Sequence, residues 1–559
     1  MTDATATDQA AYEGGGRALR DLLAAAEPTG LRRLGELIGR LDAEGRLRTV
    51  LAVPGSSAAS GAAQSGLDRL PIRGLAFDSR RVRPGSLFVA IRGAHVDGHD
   101  FLASVAELGA AAAIVEREVP GAVVPQIVVD RSESALATAA CWWYGDPSRE
   151  LGVVGVTGTD GKTTTSFLAA AALRSAGIAA GIVTTAGIRI GSLDSANPEH
   201  ITTPEAPQLQ RILRAMVRAG DRSAIVETTS HGLALDRVAG TAYDVAIFTN
   251  LTHEHLEFHG TFEAYREAKL SLFRRLGGGP GKKLQRPWPS SAIVNRDDAA
   301  APLFEAAALE AGARLLSFGV SASADVRAAS IAEDARSLRF DVATPRWQGA
   351  LALQLAGRFN VHNALAAIAL GEALDLDPAA VRAGLEGVLG VPGRMERVDC
   401  GQPFGVVVDY AHSPASLEKV LDRLSALAAA RGGGVIAVFG SAGERDVQKR
   451  PMMGRVAGER CRLVILTDED PRNEDPQAIL AQIAAGAEAS GRRRGVDLEC
   501  VSDRREAIAL AFERACPEDW VLLAGKGHER SIITGGGPQP WDERAEAVHA
   551  LESLGYTGE

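Results

Sequence analysis

Residues Val154 to Thr165 read VGVTGTDGKTTT, an apolar run that breaks into a glycine-punctuated turn and resumes as a hydroxyl-rich helix start. The segment ends like a phosphate-binding loop, yet Val156 stands where the usual G-x-x-x-x-G-K-[ST] pattern has its first glycine. The mechanics of such a loop survive the change. LGVVGV reads as a strand, Gly158 to Gly161 as a tight turn, and Thr163 onward as a first helical turn whose unpaired N–H groups face an anion. Lys162 is then placed to neutralise the β- and γ-phosphates of ATP, and the Thr163 hydroxyl to complete a magnesium shell. Gly158, Thr159, Asp160, Gly161, Lys162, Thr163 and Thr164 form this candidate ATP loop. A bare G-K-T also occurs at ordinary strand–turn–helix corners, so other residues must decide.

Around the loop, short apolar runs alternate with helical stretches. LGVVGV, SAIVE, DVAIFTN and SAIVN lie within residues 149–388, and FGVVVDY, GGVIAVFG, CRLVILT and WVLLAG within 389–559, after the break at LGVPGR. Such near-continuous apolar strands predict mostly parallel α/β sheets covered on both faces. SLFVAI, AAAIV and PQIVV predict a smaller α/β domain over 71–148. Residues 1–70 read as a helical extension followed by a flexible linker, PGSSAASGAAQSG, with no function assigned.

With 559 residues and 46% hydrophobic content, the chain is long enough for several cores. A net charge of −10 gives no general basic field for nucleic acid. The five cysteines at 141, 400, 461, 500 and 516 show neither C-x-x-C nor zinc spacing, and read as reduced. The start MTDATATDQAAYE lacks the basic and apolar regions of a secretion signal, and the alanine-rich run after Phe167 is broken by Arg174. A soluble, cytoplasmic monomer with no membrane insertion is expected.

The loop GTDGKTTT resembles that of the Mur ligase family, which uses ATP to join an amino acid to a UDP-sugar carboxylate, and the resemblance covers roughly residues 70 to 550. FDSRRVRPGSLFVAIRGAHVDGHDF is similar to the family's UDP-binding domain. TTPE, ETTSHGLALDRV, TNLTHEHLEFHG, YREAKLSLF and GRFNVHNALAA follow in family order, then GRMERV, DYAHSP, GERDVQKRP, DEDPRNEDP and AGKGHE. Within the family the likeness is to members that add the third peptide residue to UDP-N-acetylmuramoyl-L-alanyl-D-glutamate. It implies a small α/β UDP-binding domain, a central P-loop ATPase domain with a mostly parallel sheet, and a C-terminal Rossmann-like domain that binds the amino acid.

Glu227 ends the strand SAIVE, where an α/β sheet presents side chains to its crevice, and a carboxylate there suits magnesium facing ATP; it could equally cap a neighbouring loop. His253, His255 and His259 cluster, and the resemblance favours His255 as a second metal ligand, although Glu254 stands where the family usually has Asp. Lys269 lies in the helical stretch FEAYREAKLSLF, where most lysines are solvated. The resemblance implies a carbamate instead, which turns an ammonium into an anionic ligand for a second magnesium. Lys162, Lys269, Glu227 and His255 are thus the candidate catalytic residues, and Thr163, Glu227, His255 and Lys269 the candidate metal ligands.

The likeness further implies ATP contacts from Asn295, Asn360, Arg394 and Asp409. It implies UDP-substrate contacts from Phe77, Ser79, Ala94, His95, Val96, Thr202, Thr203, Thr229 and Arg237. Turn or cap roles stay open for each hydroxyl residue. No G-x-S-x-G or reactive cysteine is evident, so the substrate carboxylate is expected to take the γ-phosphoryl as an acyl phosphate, which the incoming amine displaces.

The identity of that amine turns on Glu469-Asp470-Pro471-Arg472, where diaminopimelate ligases carry D-N-P-R. Arg472 suits the distal carboxylate of meso-diaminopimelate, whereas Asp470 replaces a neutral amide by an anion and favours an ammonium. Arg445, Gly525 and Glu529 match the diaminopimelate subtype, with lysine or ornithine as the alternative. A folylpolyglutamate-type ligase would lack the UDP-binding domain, and a non-enzymatic ATP-binding protein need not keep Glu227, Lys269 and Arg472 together.

Overall fold

The computed structural model describes residues 16–51, 66–93, 96–197, 201–252, 254–277, 282, 284, 287–334 and 337–557. Ala94, His95 and His253 lie outside the described residues. The chain forms two compact units. One holds the residues up to Ala329 with Val342–Gly349 and His362–Leu385; the other holds Ser330–Asp341, Ala350–Val361 and everything from Glu386 onward.

Among its described residues the first unit contains two large sheets, besides a two-stranded ribbon of Arg32–Arg33 and Pro71–Ile72. The smaller runs in the order Leu47–Leu51, Gln126–Val129, Ala112–Val115, Ser86–Val89, Gly74–Ala76, parallel except for its first strand. Residues 32–51 therefore pack with this small α/β domain. They supply the helix Leu34–Ala43, buried through Leu34, Leu37, Ile38 and Leu41, and the antiparallel edge strand Leu47–Leu51, ahead of the linker-like stretch rather than after it.

The larger sheet is centred on Gly152–Thr157, with Ser223–Glu227 and Val245–Phe248 parallel on either side and Ala180–Val183 and Ser291–Asn295 beyond them. Each of these five strands is buried along its whole length, because runs of Val, Ile and Ala without polar alternation can settle only between two layers of helix. Strand ends facing one way, each followed by a loop, create the crevice in which such folds hold ligands.

The helix Phe262–Arg274 packs on this sheet through Tyr265, Leu272 and Phe273, and Phe273 meets Phe304 edge-on at 5.1 Å. Lys269 falls on the same stripe, four residues after Tyr265 and four before Phe273.

The second unit carries a sheet in the order Glu396–Val398, Gly405–Asp409, Trp520–Ala524, Val435–Phe439, Leu463–Leu466, Leu498–Cys500, parallel except for the first strand. The four C-terminal runs predicted from apolar sequence are its four central strands. All five cysteines are unpaired as disulfides, and Cys500 and Cys516 are exposed.

Candidate active site

The strand Gly152–Thr157 gives way to Gly158 at φ +146° and to Gly161 at φ +81°, which caps the helix Lys162–Ser175 in the left-handed region. Only glycine fits at either position. A Cβ on Gly158 would lie 1.9 Å from Thr249 Oγ1, and one on Gly161 would lie 2.4 Å from Asn363 Oδ1.

The loop is latched to the end of the neighbouring strand. Thr159 N donates to Asn250 O at 2.8 Å, Asp160 N to Asn250 Oδ1 at 2.9 Å, and Thr249 Oγ1 to Asp160 O at 2.7 Å. Asn295 Nδ2 donates to Thr249 O at 2.6 Å, so this candidate nucleotide residue also buttresses the loop. Lys162 Nζ bonds the Gly158 and Thr159 carbonyls at 3.1 and 2.7 Å, and Thr164 is buried behind it.

The structure brings Thr163 and Glu227 together: Thr163 Oγ1 donates to Glu227 Oε2 at 3.0 Å. The same carboxylate accepts from Thr185 N at 3.2 Å and Thr185 Oγ1 at 3.3 Å, and the residue is 2% exposed. Among the described residues no cluster of three His, Cys, Asp or Glu forms a ready metal site. One buried carboxylate beside a hydroxyl is nonetheless a donor set that suits magnesium, which takes few protein ligands and completes its shell with phosphate oxygens and water.

Lys269 is not a solvated helix lysine. It is 2% exposed, donates from Nζ to Gly158 O at 2.7 Å, and sits 4.5 Å over the Tyr265 ring. Burial first, and then the nearby Lys162 cation, hold its ammonium well below the usual lysine range. Tyr265 in turn shares a 2.9 Å hydrogen bond with Thr159. His255 lies beside this group, 6.4 Å from the Tyr265 ring, with φ +56°. Its ring also meets His231 edge-on at 4.6 Å, and burial drives the His231 imidazole down to about 4. Sequence reasoning assigns His231 no role, although its place three residues after Thr228 at a strand end is a signal that could have found it.

Thr203 and Thr229 share a 3.0 Å hydrogen bond beside Glu227, and Thr203 Oγ1 donates to the Glu227 carbonyl at 2.8 Å. Thr202 meets Thr185 at 2.8 Å, and Arg237 donates to Thr203 O at 3.2 Å while pairing with Glu205 at 2.6 Å. Thr229 also caps its short helix by accepting from Gly232 N, so the cap role is real alongside any ligand role. Phe77 packs against the first domain's core, Ser79 opens the turn Ser79–Arg81, and Val96 is 56% exposed. Ala94 and His95 lie outside the described residues.

In the second unit, Asp409 is buried at a strand end and accepts from Met395 N at 2.7 Å and Ala411 N at 2.8 Å. Burial raises its carboxyl above the usual range, against the pull of Arg394. Arg394 lies 5.0 Å from the Tyr410 ring centroid, and Tyr410 OH reaches Glu529 Oε1 at 3.4 Å. Tyr410, which carries no role in the sequence-based assignment, therefore links the residues assigned to ATP with those assigned to the amino acid. Asn360 is buried and donates to Ala356 O at 2.8 Å.

Glu469, Asp470 and Pro471 are buried and Arg472 half-buried at φ +55°, with its Nε enclosed and without a hydrogen-bond partner. Gly525 at φ +98° leaves room for Glu469: a Cβ there would stand 2.9 Å from Glu469 Oε2. Asp470 is not the solitary anion that the sequence suggested, because it bonds Lys526 Nζ at 2.8 Å. Arg445 is exposed, on a loop tied to this segment by Gly443 N donating to Asp470 O at 2.8 Å and Asn473 Nδ2 donating to Glu444 Oε1 at 2.9 Å.

A glycine loop at a strand end, a buried carboxylate beside its threonine and a buried lysine bonded to its first glycine define a nucleotide-using α/β enzyme. Residues 71–144 match the Mur ligase family catalytic domain, 156–371 the Mur ligase middle domain, and 393–527 the Mur ligase glutamate ligase domain. The chain belongs to the Mur ligase family, and is an ATP-dependent ligase that forms amide bonds. It is 49% identical over 494 residues to a UDP-N-acetylmuramyl-tripeptide synthetase of Roseiflexus sp. (strain RS-1), covering 87% of this chain and 96% of that one. It is 41% identical to a UDP-N-acetylmuramoyl-L-alanyl-D-glutamate–2,6-diaminopimelate ligase of Geobacter metallireducens, covering 88% and 96%. A solved structure of a ligase with the latter name aligns with a TM-score of 0.60 at 31% identity, over 88% of this chain and 97% of that one. No helix among the described residues is long and apolar enough to cross a membrane.

Proposed function

We propose that this ligase joins meso-2,6-diaminopimelate to the D-glutamate carboxylate of UDP-N-acetylmuramoyl-L-alanyl-D-glutamate, with ATP converted to ADP and phosphate. The observation that carries the reading is the Thr163–Glu227 contact at the phosphate loop, with Thr203 and Thr229 directly behind Glu227. Those threonines, Thr202 and Arg237 would hold the muramoyl peptide, and Phe77, Ser79 and the segment around Val96 the uridine nucleotide. The division into domains at 71–148, 149–388 and 389–559, with residues 32–51 packed on the first, belongs to the same proposal. The names of the relatives support the substrate pair.

In this reading the loop amides and Lys162 cradle the triphosphate and stabilise charge as the γ-phosphoryl passes to the substrate carboxylate. The amine of the third residue then displaces phosphate from the acyl phosphate. Thr163, Glu227, His255 and Lys269, the last as a carbamate, would hold two magnesium ions, which screen the repulsion between carboxylate and triphosphate. Lys269 fits the carbamate because burial and the nearby Lys162 push its ammonium well below the usual lysine range, and it is the unprotonated amine that adds to carbon dioxide, releasing one proton. Catalysis is then mostly positioning.

The test is phosphate release from ATP with UDP-muramoyl-dipeptide and each of meso-diaminopimelate, lysine and ornithine. Release that requires both the dipeptide and diaminopimelate is expected. Release that ignores the UDP-dipeptide would overturn the reading.

A further inference from the structure

Lys526 follows the strand Trp520–Ala524 and is completely shielded from solvent. It lies in the AGKGHE motif, yet neither the ATP loop nor the substrate contacts described for the site involve it. Its Nζ donates to Asp470 Oδ1 at 2.8 Å and to Glu529 Oε2 at 2.5 Å, so one ammonium is shared by two carboxylates. Asp470 Oδ1 also accepts from Ile533 N at 2.8 Å, and Arg472 N donates to Ile533 O at 2.9 Å. The segment bearing Arg472, the hairpin Ser531–Pro540 and the loop bearing Glu529 are therefore tied together at this lysine.

The buried Asp470 and half-buried Glu529 carboxylates, drawn to one point without a cation, would repel one another and draw in protons. Burial alone would weaken the Lys526 ammonium, but Glu529 and Asp470 outweigh it and hold the lysine above its usual range, so it stays charged. With no surface exposed, the ammonium cannot itself meet a solute. It acts through its two partners.

We propose that Lys526 is a positioning residue of the amino-acid pocket, cancelling the Asp470 charge beside Arg472 and fixing the Glu529 carboxylate towards the ammonium of the incoming diamino acid. The inference rests on the assignment of this segment to the amino-acid substrate. It accounts for how an aspartate can stand next to an arginine that grips a carboxylate: the aspartate's charge is already neutralised by Lys526.

Lys526→Met strands both carboxylates, and is expected to raise KM for meso-diaminopimelate at least ten-fold while KM for ATP and for the UDP-dipeptide changes less than two-fold. Adding Asp470→Asn removes one stranded anion. The double variant is expected to recover at least three-fold in that KM and to melt higher than Lys526→Met, a coupling that a mere packing role would not produce. Melting both variants keeps the test decisive even where Lys526→Met weakens the fold. A double variant no better in KM or melting than Lys526→Met, or a Lys526→Met enzyme whose three KM values rise together, would overturn the inference. Wild-type enzyme that rejects diaminopimelate would instead remove the substrate reading beneath it.

Discussion

Lys269 Nζ donates to the carbonyl oxygen of Gly158 at 2.7 Å, linking the buried face of the helix Phe262–Arg274 to the first residue of the phosphate loop. A lysine stays in such a place only with its charge suppressed or its amine modified, because an isolated buried ammonium is strongly disfavoured. Lys269→Ala is expected to abolish turnover, with partial return in acetate or formate, which can supply the missing carboxylate oxygens. Activity near wild type in that variant, measured as phosphate release, would return Lys269 to a purely structural role.

The latch between the loop and the next strand makes Gly158 the least replaceable residue of the turn. Alanine there combines a left-handed φ of +146° with a Cβ 1.9 Å from Thr249 Oγ1, whose own bond to Asp160 O must then break. Strain and overpacking together should cost about 2–4 kcal/mol. Gly158→Ala should also bind ATP at least ten-fold more weakly by calorimetry. Native affinity would show that the loop's conformation is not what holds the nucleotide.

Much of the site was legible because its chemistry is local in sequence. The loop and its flanking strand and helix start are consecutive in sequence, and Glu227 is the last residue of an apolar run that had to be a central strand. The burial of Lys269 was not read from the residues, because a helical lysine is ordinarily solvated, and only the family resemblance gave it a role; the structure places it on the stripe of Tyr265 and Phe273. What the sequence could not disclose were pairings between distant segments. Leu47–Leu51 joins the first sheet by pairing with Gln126–Val129, across a low-complexity stretch that masks the connection. The charge of Asp470 reads as unopposed until Lys526, in another loop, is placed against it.

Asp468 offers a test by pH. Its carboxyl is pushed up to about 6, chiefly by burial and further by Asp503, with Arg504 opposing. A carboxyl that holds its proton more tightly when folded makes the protein less stable as pH rises from the unfolded value towards 6, and the loss persists above that. Asp468→Asn is neutral at every pH. It should raise Tm by about 2 °C at pH 7.5, a modest gain because the group is half exposed, and the gain should fade towards pH 4. An equal gain at both values would mean that the substitution acts by packing alone.

The proposed choice of amine rests on Arg472. Its Nε is enclosed without a hydrogen-bond partner, and the neighbouring Asp470 is held by Lys526 and Ile533 N, so the adjacent anion offers little repulsion to a substrate carboxylate. Diaminopimelate carries a second carboxylate for this guanidinium, whereas lysine and ornithine do not. Losing a charge-assisted, two-point contact costs roughly 1.5–3 kcal/mol, so Arg472→Ala should raise KM for diaminopimelate about ten- to a hundred-fold. Lysine, which makes no such contact, should be used about as poorly by the variant as by wild type. Values of kcat/KM for the three amino acids on both enzymes settle the matter. A wild-type preference for lysine or ornithine would sink the diaminopimelate assignment and leave the ATP-dependent ligase, with its loop, Glu227 and Lys269, as it stands.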